Sequence, residues 1–158
     1  ALSSPTRPVK QAIQQARAKG HLVFLCTGRN LPIIGEDILE IGFDGVIASA
    51  GSYVAVGDEV LFDHLLPEEL VQECLTVFHD LGMFCRIETP EGIYTDPQME
   101  QLLCSAAPDP HNSELIRMQK EIERGISIQK YENYPQKGAY KLQYGSCGEG
   151  TGQLGRSV

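Results

Sequence analysis

No apolar run in the chain approaches the roughly 20 residues that a membrane-spanning helix needs. No charged, apolar and small-residue leader opens it. The expectation is a cytoplasmic protein with no membrane partner. An excess of base is missing too: 13 Lys and Arg face 21 Asp and Glu, for a formal net charge of −8. That balance argues against nucleic acid or an anionic membrane as a partner. No Cys-x-x-Cys spacing occurs among the five cysteines, Cys26, Cys74, Cys85, Cys104 and Cys147. They sit singly, as in FLCTG and VQECLTVF, which reads as reduced cysteine used as a small hydrophobe rather than a metal ligand or half of a disulfide. A phosphatase signature of the Cys-x5-Arg kind fails, because Pro32 stands six places after Cys26. Nor are any two aspartates two positions apart.

What is present is ordinary for a globular chain. Apolar residues make up 42% and charged residues 22% of 158, which excludes collagen-like, low-complexity and wholly disordered classes. The length suffices for one domain with a real core and falls short of two full ones. Charge is unevenly spread. Residues 1–35 hold five Lys and Arg and no acid; residues 36–132 hold 20 acids and five bases, or −15; residues 133–158 come to +2. The sign change suggests two regions with different surroundings.

Periodicity orders the first region. Ser3 and Ser4, early prolines and a closing Lys19-Gly20 bracket a helix with Val9, Ala12, Ile13 and Ala16 on one face. Residues 22–26 are continuously apolar, as in a parallel strand buried on both faces. Thr27-Gly28-Arg29-Asn30 ends that strand, a helix over about 31–41 follows, and Gly45-Val46-Ile47-Ala48 makes a second buried strand. Helix and strand alternating through tight loops is half of a doubly wound α/β sheet. Residues 53–56 and 60–62 then flank Gly57-Asp58 as a hairpin.

Pro67-Glu68-Glu69 opens an amphipathic helix, followed by strands at 83–88 and 92–95. Helices over about 97–106 and 112–123 and strands at 126–131 and 139–144 complete the pattern. The domain expectation is a partial core over 1–65, a separate α+β unit over 66–144, and a disordered, glycine-rich tail over 145–158.

The stretch with chemistry is the strand ending in Thr27-Gly28-Arg29. In open α/β sheets, ligands sit beyond the carboxyl ends of the strands. A hydroxyl followed by Gly lets the side chain and bare backbone N–H groups converge on one phosphate oxygen, stabilising charge that grows in a transition state. The plainer alternative is a strand-to-helix turn in which Gly supplies backbone freedom.

The run SPTRPVKQAIQQARAKGHLVFLCTGRN, then FDGVIASAGSYV, the hairpin and HLLPEEL, resembles the haloacid-dehalogenase superfamily, and within it the Cof-type sugar-phosphatase branch with an α/β cap. The resemblance covers residues 4 to about 144. It implies a Rossmann-like parallel core carrying an inserted α+β cap, and a Mg²⁺-dependent phosphatase of small phosphorylated metabolites acting through an aspartyl-phosphate. Thr27 would hold the transferring phosphoryl group, Gly28 would give backbone approach, and Arg29 would shape the loop. The family's Asn-Gly pair is Ala50-Gly51 here, leaving Gly51 as a substrate-binding position without the polar side chain before it.

The family's Asp-x-Asp nucleophile pair has no counterpart in this sequence, nor does its later metal-binding motif, so no metal ligands are assigned and the chain reads as a catalytically incomplete piece. In the family, the strand that carries the nucleophile pairs beside the one the Thr27 strand resembles. Without it an apolar edge stands open and self-association is expected. The competing reading is a phosphate-binding or interaction module that has lost turnover.

Two decoys fall away. Gly57-Asp58 with Asp63 mimics the metal motif inside a hairpin, and Gly150-x-Gly152-x-x-Gly155 lacks the strand, helix and acid of a dinucleotide site. His21, His64, His79 and His111 show no helical metal-ligand spacing and read as surface or packing residues. Glu88 and Glu91 read as a solvated hairpin, and Lys141 as structural.

Overall fold

The structure is a computed structural model. It describes residues 5–98, 101, 111, 113–123, 128–146 and 154–157. The chain falls into two compact units, Ala1–His64 and Leu65–Val158.

In the first unit, helix α1 (Arg7–Ala18) starts at Thr6, with a proline in its first turn, where the missing N–H costs nothing. Strand β1 (Phe24–Cys26) pairs in parallel with β2 (Gly45–Ala48), and β3 (Tyr53–Val56) and β4 (Glu59–Asp63) add antiparallel, in the order β1-β2-β3-β4. The expected 53–62 hairpin is therefore present, with Gly57 at φ +55° in its turn. Arg17 near the end of α1 binds Asp44 at 2.8 Å, and Asp44 also accepts the Val23 N–H at 2.8 Å. This one carboxylate ties the end of the helix to the entry of both parallel strands.

Two expectations are corrected here. The helix over 31–41 is a 3-10 turn (Leu31–Ile33) and a four-residue helix α2 (Glu36–Leu39). Pro32 and Gly35 break the run, the first lacking an N–H donor and the second sitting extended at φ −64°, ψ 144°. Strand β1 is not buried on both faces: Phe24 and Cys26 are exposed. Among the described residues, β1 has a strand neighbour on one side only. Val9 and Ala12 of α1 are likewise exposed, while Ile13 and Ala16 are half-buried.

Among the described residues, the second unit holds a five-stranded sheet in the order β7-β6-β5-β8-β9 and helices α3 and α4. Its elements are α3 (Glu68–Asp80), β5 (Met83–Glu88), β6 (Ile93–Thr95), α4 (Ser113–Glu123), β7 (Ile128–Lys130), β8 (Lys141–Ser146) and β9 (Leu154–Ser157). Val71 and Leu75 of α3 fill the core with Cys85 and Ile87 of β5, Tyr94 and Leu142. Each such side chain contributes about 1.5–3 kcal/mol on burial. Phe78 stacks on Tyr144 at 4.8 Å. Glu68 in the first turn of α3 accepts the Tyr134 hydroxyl and the Gly138 N–H, which moors the loop before β8. Burial, with Glu68 beside it, pushes the Tyr134 hydroxyl pKa up.

The tail expectation is corrected for the residues described: β8 runs on to Ser146, and Leu154–Ser157 pair antiparallel with it. A polar, glycine-rich composition reports weak local preference and says nothing of a distant strand edge that can supply hydrogen bonds. Residues 147–153 and 158 lie outside the described residues, as does most of the expected helix over 97–106. Glu88 is corrected too. It is wholly buried, because β5 lies between β6 and β8, and it pairs with Lys141 at 3.2 Å; Glu91 in the turn is exposed.

Candidate functional site

The carboxyl ends of β1 and β2 meet through their backbones. The Thr27 N–H donates to the Ile47 carbonyl at 2.8 Å, which carries the parallel ladder one residue past β1. Beyond that point the two loops bind each other: Ser49 N–H donates to Arg29 carbonyl at 2.8 Å, and Ala50 N–H to Thr27 carbonyl at 3.2 Å. Residues 27–29 and 49–51 thus form one ledge at the strand ends. The Thr27 hydroxyl accepts the Arg29 N–H at 3.2 Å, a serine/threonine turn that uses the oxygen as acceptor and leaves the O–H as a donor.

At Gly28 the φ angle lies outside the left-handed region, and a Cβ built there would meet nothing within 4 Å. The turn itself does not require glycine, so what the missing side chain preserves is approach to the backbone. Gly51 differs, at φ +101°, a conformation that favours glycine. Ser49 and Ala50 before it are also left-handed, at φ 51° and 57°. Non-glycine residues held there cost of order 1–3 kcal/mol each and cluster at ligand sites.

Ser49 is the residue that sequence reasoning passed over. It is 2% exposed and its hydroxyl has no hydrogen-bond partner among the described residues. A buried hydroxyl left so costs about 1–3 kcal/mol. The only signal in the sequence is a small polar residue directly after a buried strand, which is too common to single out. Thr27 and Arg29 are half-buried, Gly28 is exposed and Asn30 is wholly buried.

The ledge does not fit Mg²⁺ on its own. That ion takes oxygen ligands in near-octahedral array. Among the described residues, the one group of three His, Cys, Asp or Glu side chains with converging ligand atoms lies in the second unit. Asp58 and Asp63, which mimic a metal motif in sequence, sit in the hairpin turn and on β4.

A family model described as haloacid dehalogenase-like hydrolase matches residues 3–151. The chain belongs to this family. Among solved structures it is similar to the HAD subclass IIB sugar phosphatase BT4131, at 24% identity and TM-score 0.59, over 85% of this chain and 48% of that one. It is similar also to the phosphatase BT1666 from Bacteroides thetaiotaomicron, at 16% identity and TM-score 0.63, over 90% and 49%. A haloacid dehalogenase-like hydrolase from B. subtilis aligns at 17% identity and TM-score 0.62, over 91% and 56%. At these identities the likeness is one of fold, and the chain spans about half the length of the structures it matches. No match was found among the curated proteins compared. The described helices include none long and apolar enough to cross a membrane.

Proposed function

We propose that the whole protein is a Mg²⁺-dependent phosphatase of small phosphorylated metabolites, sugar phosphates among them. The ledge at Thr27 is the part of its site that holds the phosphoryl group. One observation carries the reading: two loops joined by backbone hydrogen bonds place the Thr27 hydroxyl and open Gly28 together at the strand ends. In this reading the hydroxyl donates to a phosphoryl oxygen as negative charge grows on it. The Gly28 backbone comes close to the same group, and Arg29 holds the loop's shape through its carbonyl and N–H. Gly51 borders the substrate, and residues 66–144 act as the cap that selects it.

An aspartate would attack phosphorus, the alcohol would leave protonated, and water would hydrolyse the aspartyl-phosphate. Mg²⁺, when bound, would neutralise phosphate charge. No Asp-x-Asp pair occurs in the 158 residues, so the nucleophile of this reading is not among them. The competing reading is a module that binds phosphate without turning it over.

Two measurements on the whole protein test both readings. Titration with inorganic phosphate, followed by amide NMR, is expected to shift the Gly28 and Gly51 signals. Thr27→Ala should weaken binding about 10- to 100-fold, the worth of a hydrogen bond to a charged group, about 1.5–3 kcal/mol. Hydrolysis of a sugar-phosphate panel with Mg²⁺ should fall with Thr27→Ala and largely survive Thr27→Ser. A metal-dependent rate unchanged in Thr27→Ala overturns the assignment. Binding without hydrolysis establishes the second reading.

A further inference from the structure

Wholly within the second unit, three side chains of different chemistry converge. His79 stands in the last turn of α3, Cys85 at the middle of β5, and Asp96 directly after β6. Their ligand atoms, one ring nitrogen, one sulfur and one carboxylate oxygen, all lie within 4.8 Å of one another. The backbone sets the arrangement. Asp96 N–H donates to the Cys85 carbonyl at 3.1 Å, and Cys85 N–H donates back to Asp96 Oδ2 at 2.8 Å. His79 Nε2 reaches the same Oδ2 at 3.0 Å, and the edge of Tyr131 packs against the imidazole at 6.1 Å.

Burial is graded across the three. Cys85 is wholly buried and Asp96 nearly so, while the His79 side chain is 44% exposed. A cleft of about 540 Å³ opens beside them, lined by His79, Met83, Phe84, Asp96, Pro97 and Gln98. Two of the three side chains border the cleft and the thiol lies behind them.

We propose that His79, Cys85 and Asp96 form a three-ligand site for a divalent cation of borderline softness, Zn²⁺ above all, with a fourth coordination position facing the cleft. The donor set decides the class of ion. Thiolate and imidazole select Zn²⁺ and its neighbours, whereas Mg²⁺ demands oxygen, so this site is distinct from any the family reading implies. Three protein ligands with one open position is the arrangement of a zinc centre that can take water or an exogenous ligand.

Bond lengths of about 2.0 Å to N and O and about 2.3 Å to S put tetrahedral ligand atoms roughly 3.3–3.7 Å apart. The His79–Asp96 pair is near that spacing already, and the thiol needs an approach of about 1.5 Å at most, given the 4.8 Å limit. The metal–sulfur bond forms as the S–H bond breaks and its proton passes to water. The imidazole binds as the neutral ring through Nε2 and keeps its remaining proton on Nδ1; Asp96 binds as the carboxylate.

The test uses the reduced 158-residue chain and Co²⁺ as the spectroscopic probe. Titration is expected to raise a sulfur-to-cobalt charge-transfer band and tetrahedral d–d bands that saturate at one equivalent and bleach on addition of Zn²⁺. His79→Ala and Asp96→Asn should weaken or abolish the bands, while Cys26→Ser, Cys74→Ser, Cys104→Ser and Cys147→Ser keep them. Cys85→Ser alters a wholly buried position and can unfold the unit. The half-exposed His79→Ala, checked for folding by circular dichroism, is therefore the deciding variant. Absence of a charge-transfer band in the folded chain overturns the proposal, and so does a band unchanged in His79→Ala. Neither outcome touches the phosphatase reading, which rests on Thr27.

Discussion

The backbone N–H of Ser49 donates to the carbonyl of Arg29 at 2.8 Å, so two loops 20 residues apart in sequence are one surface. The bond forms because β1 and β2 run parallel in the register Phe24↔Gly45 to Cys26↔Ile47, which brings their ends level. Once level, the loops continue the ladder as irregular backbone, and the left-handed turn at Ser49 and Ala50 is held by those bonds.

The first expectation concerns Ser49 itself. Its buried hydroxyl has no partner among the described residues, so Ser49→Ala removes an unsatisfied group rather than a bond. Thermal unfolding should show a raised midpoint for Ser49→Ala. A lowered midpoint would mean that the hydroxyl is satisfied within the fold.

Gly28 and Gly45 should part company when each is changed to alanine. At Gly45 an added Cβ would lie 2.6 Å from the Ala55 carbonyl and against the Phe24 ring. Overpacking of that kind costs about 1–3 kcal/mol in urea unfolding. At Gly28 nothing lies within 4 Å, so stability should hold while phosphate affinity falls. Equal losses of stability at both positions would contradict this difference.

Acid sensitivity should trace to Asp44. A hydrogen bond from Arg17, then one from the Val23 N–H, hold its carboxyl below the usual range. A carboxylate whose folded pKa is depressed adds stability that is fully present above its unfolded value, about 3.9. That stability is lost as pH falls through the folded value. Asp44→Asn should therefore be less stable at neutral pH and show a flatter decline below about pH 4. A parallel decline in both proteins would rule out Asp44 as the source.

The outer edge of β1 should promote self-association, as an unpaired strand with exposed Phe24 and Cys26 offers its N–H and C=O groups to another chain. Sedimentation of the 158-residue chain is expected to show concentration-dependent association that Cys26→Lys reduces. A monomer at all concentrations would rule this edge out as a contact.

Local chemistry was readable without coordinates. Apolar runs, Lys19-Gly20, Gly57-Asp58 and Pro67-Glu68-Glu69 marked most elements to within a few residues, because periodicity and turn preferences act over only a few positions. The Thr27-Gly28-Arg29 loop stood out for the same reason: a strand end, a hydroxyl and a glycine are adjacent. Pro32 and Gly35 stand inside the stretch over 31–41 expected to form one helix. The backbone instead broke into two short turns.

Tertiary structure decided the rest. Glu88 became a buried ion-pair partner because β5 took the middle of the sheet, and Leu154–Ser157 became a strand because β8 had a free edge. Ser49 acquired its orphan hydroxyl only when β2 met β1. His79 and Asp96 are 17 residues apart and Cys85 lies between them, a spacing that matches no motif. Whether they meet depends on strand register and on how α3 packs against β5. Those are set by burial of the whole core, which no local stretch of residues encodes.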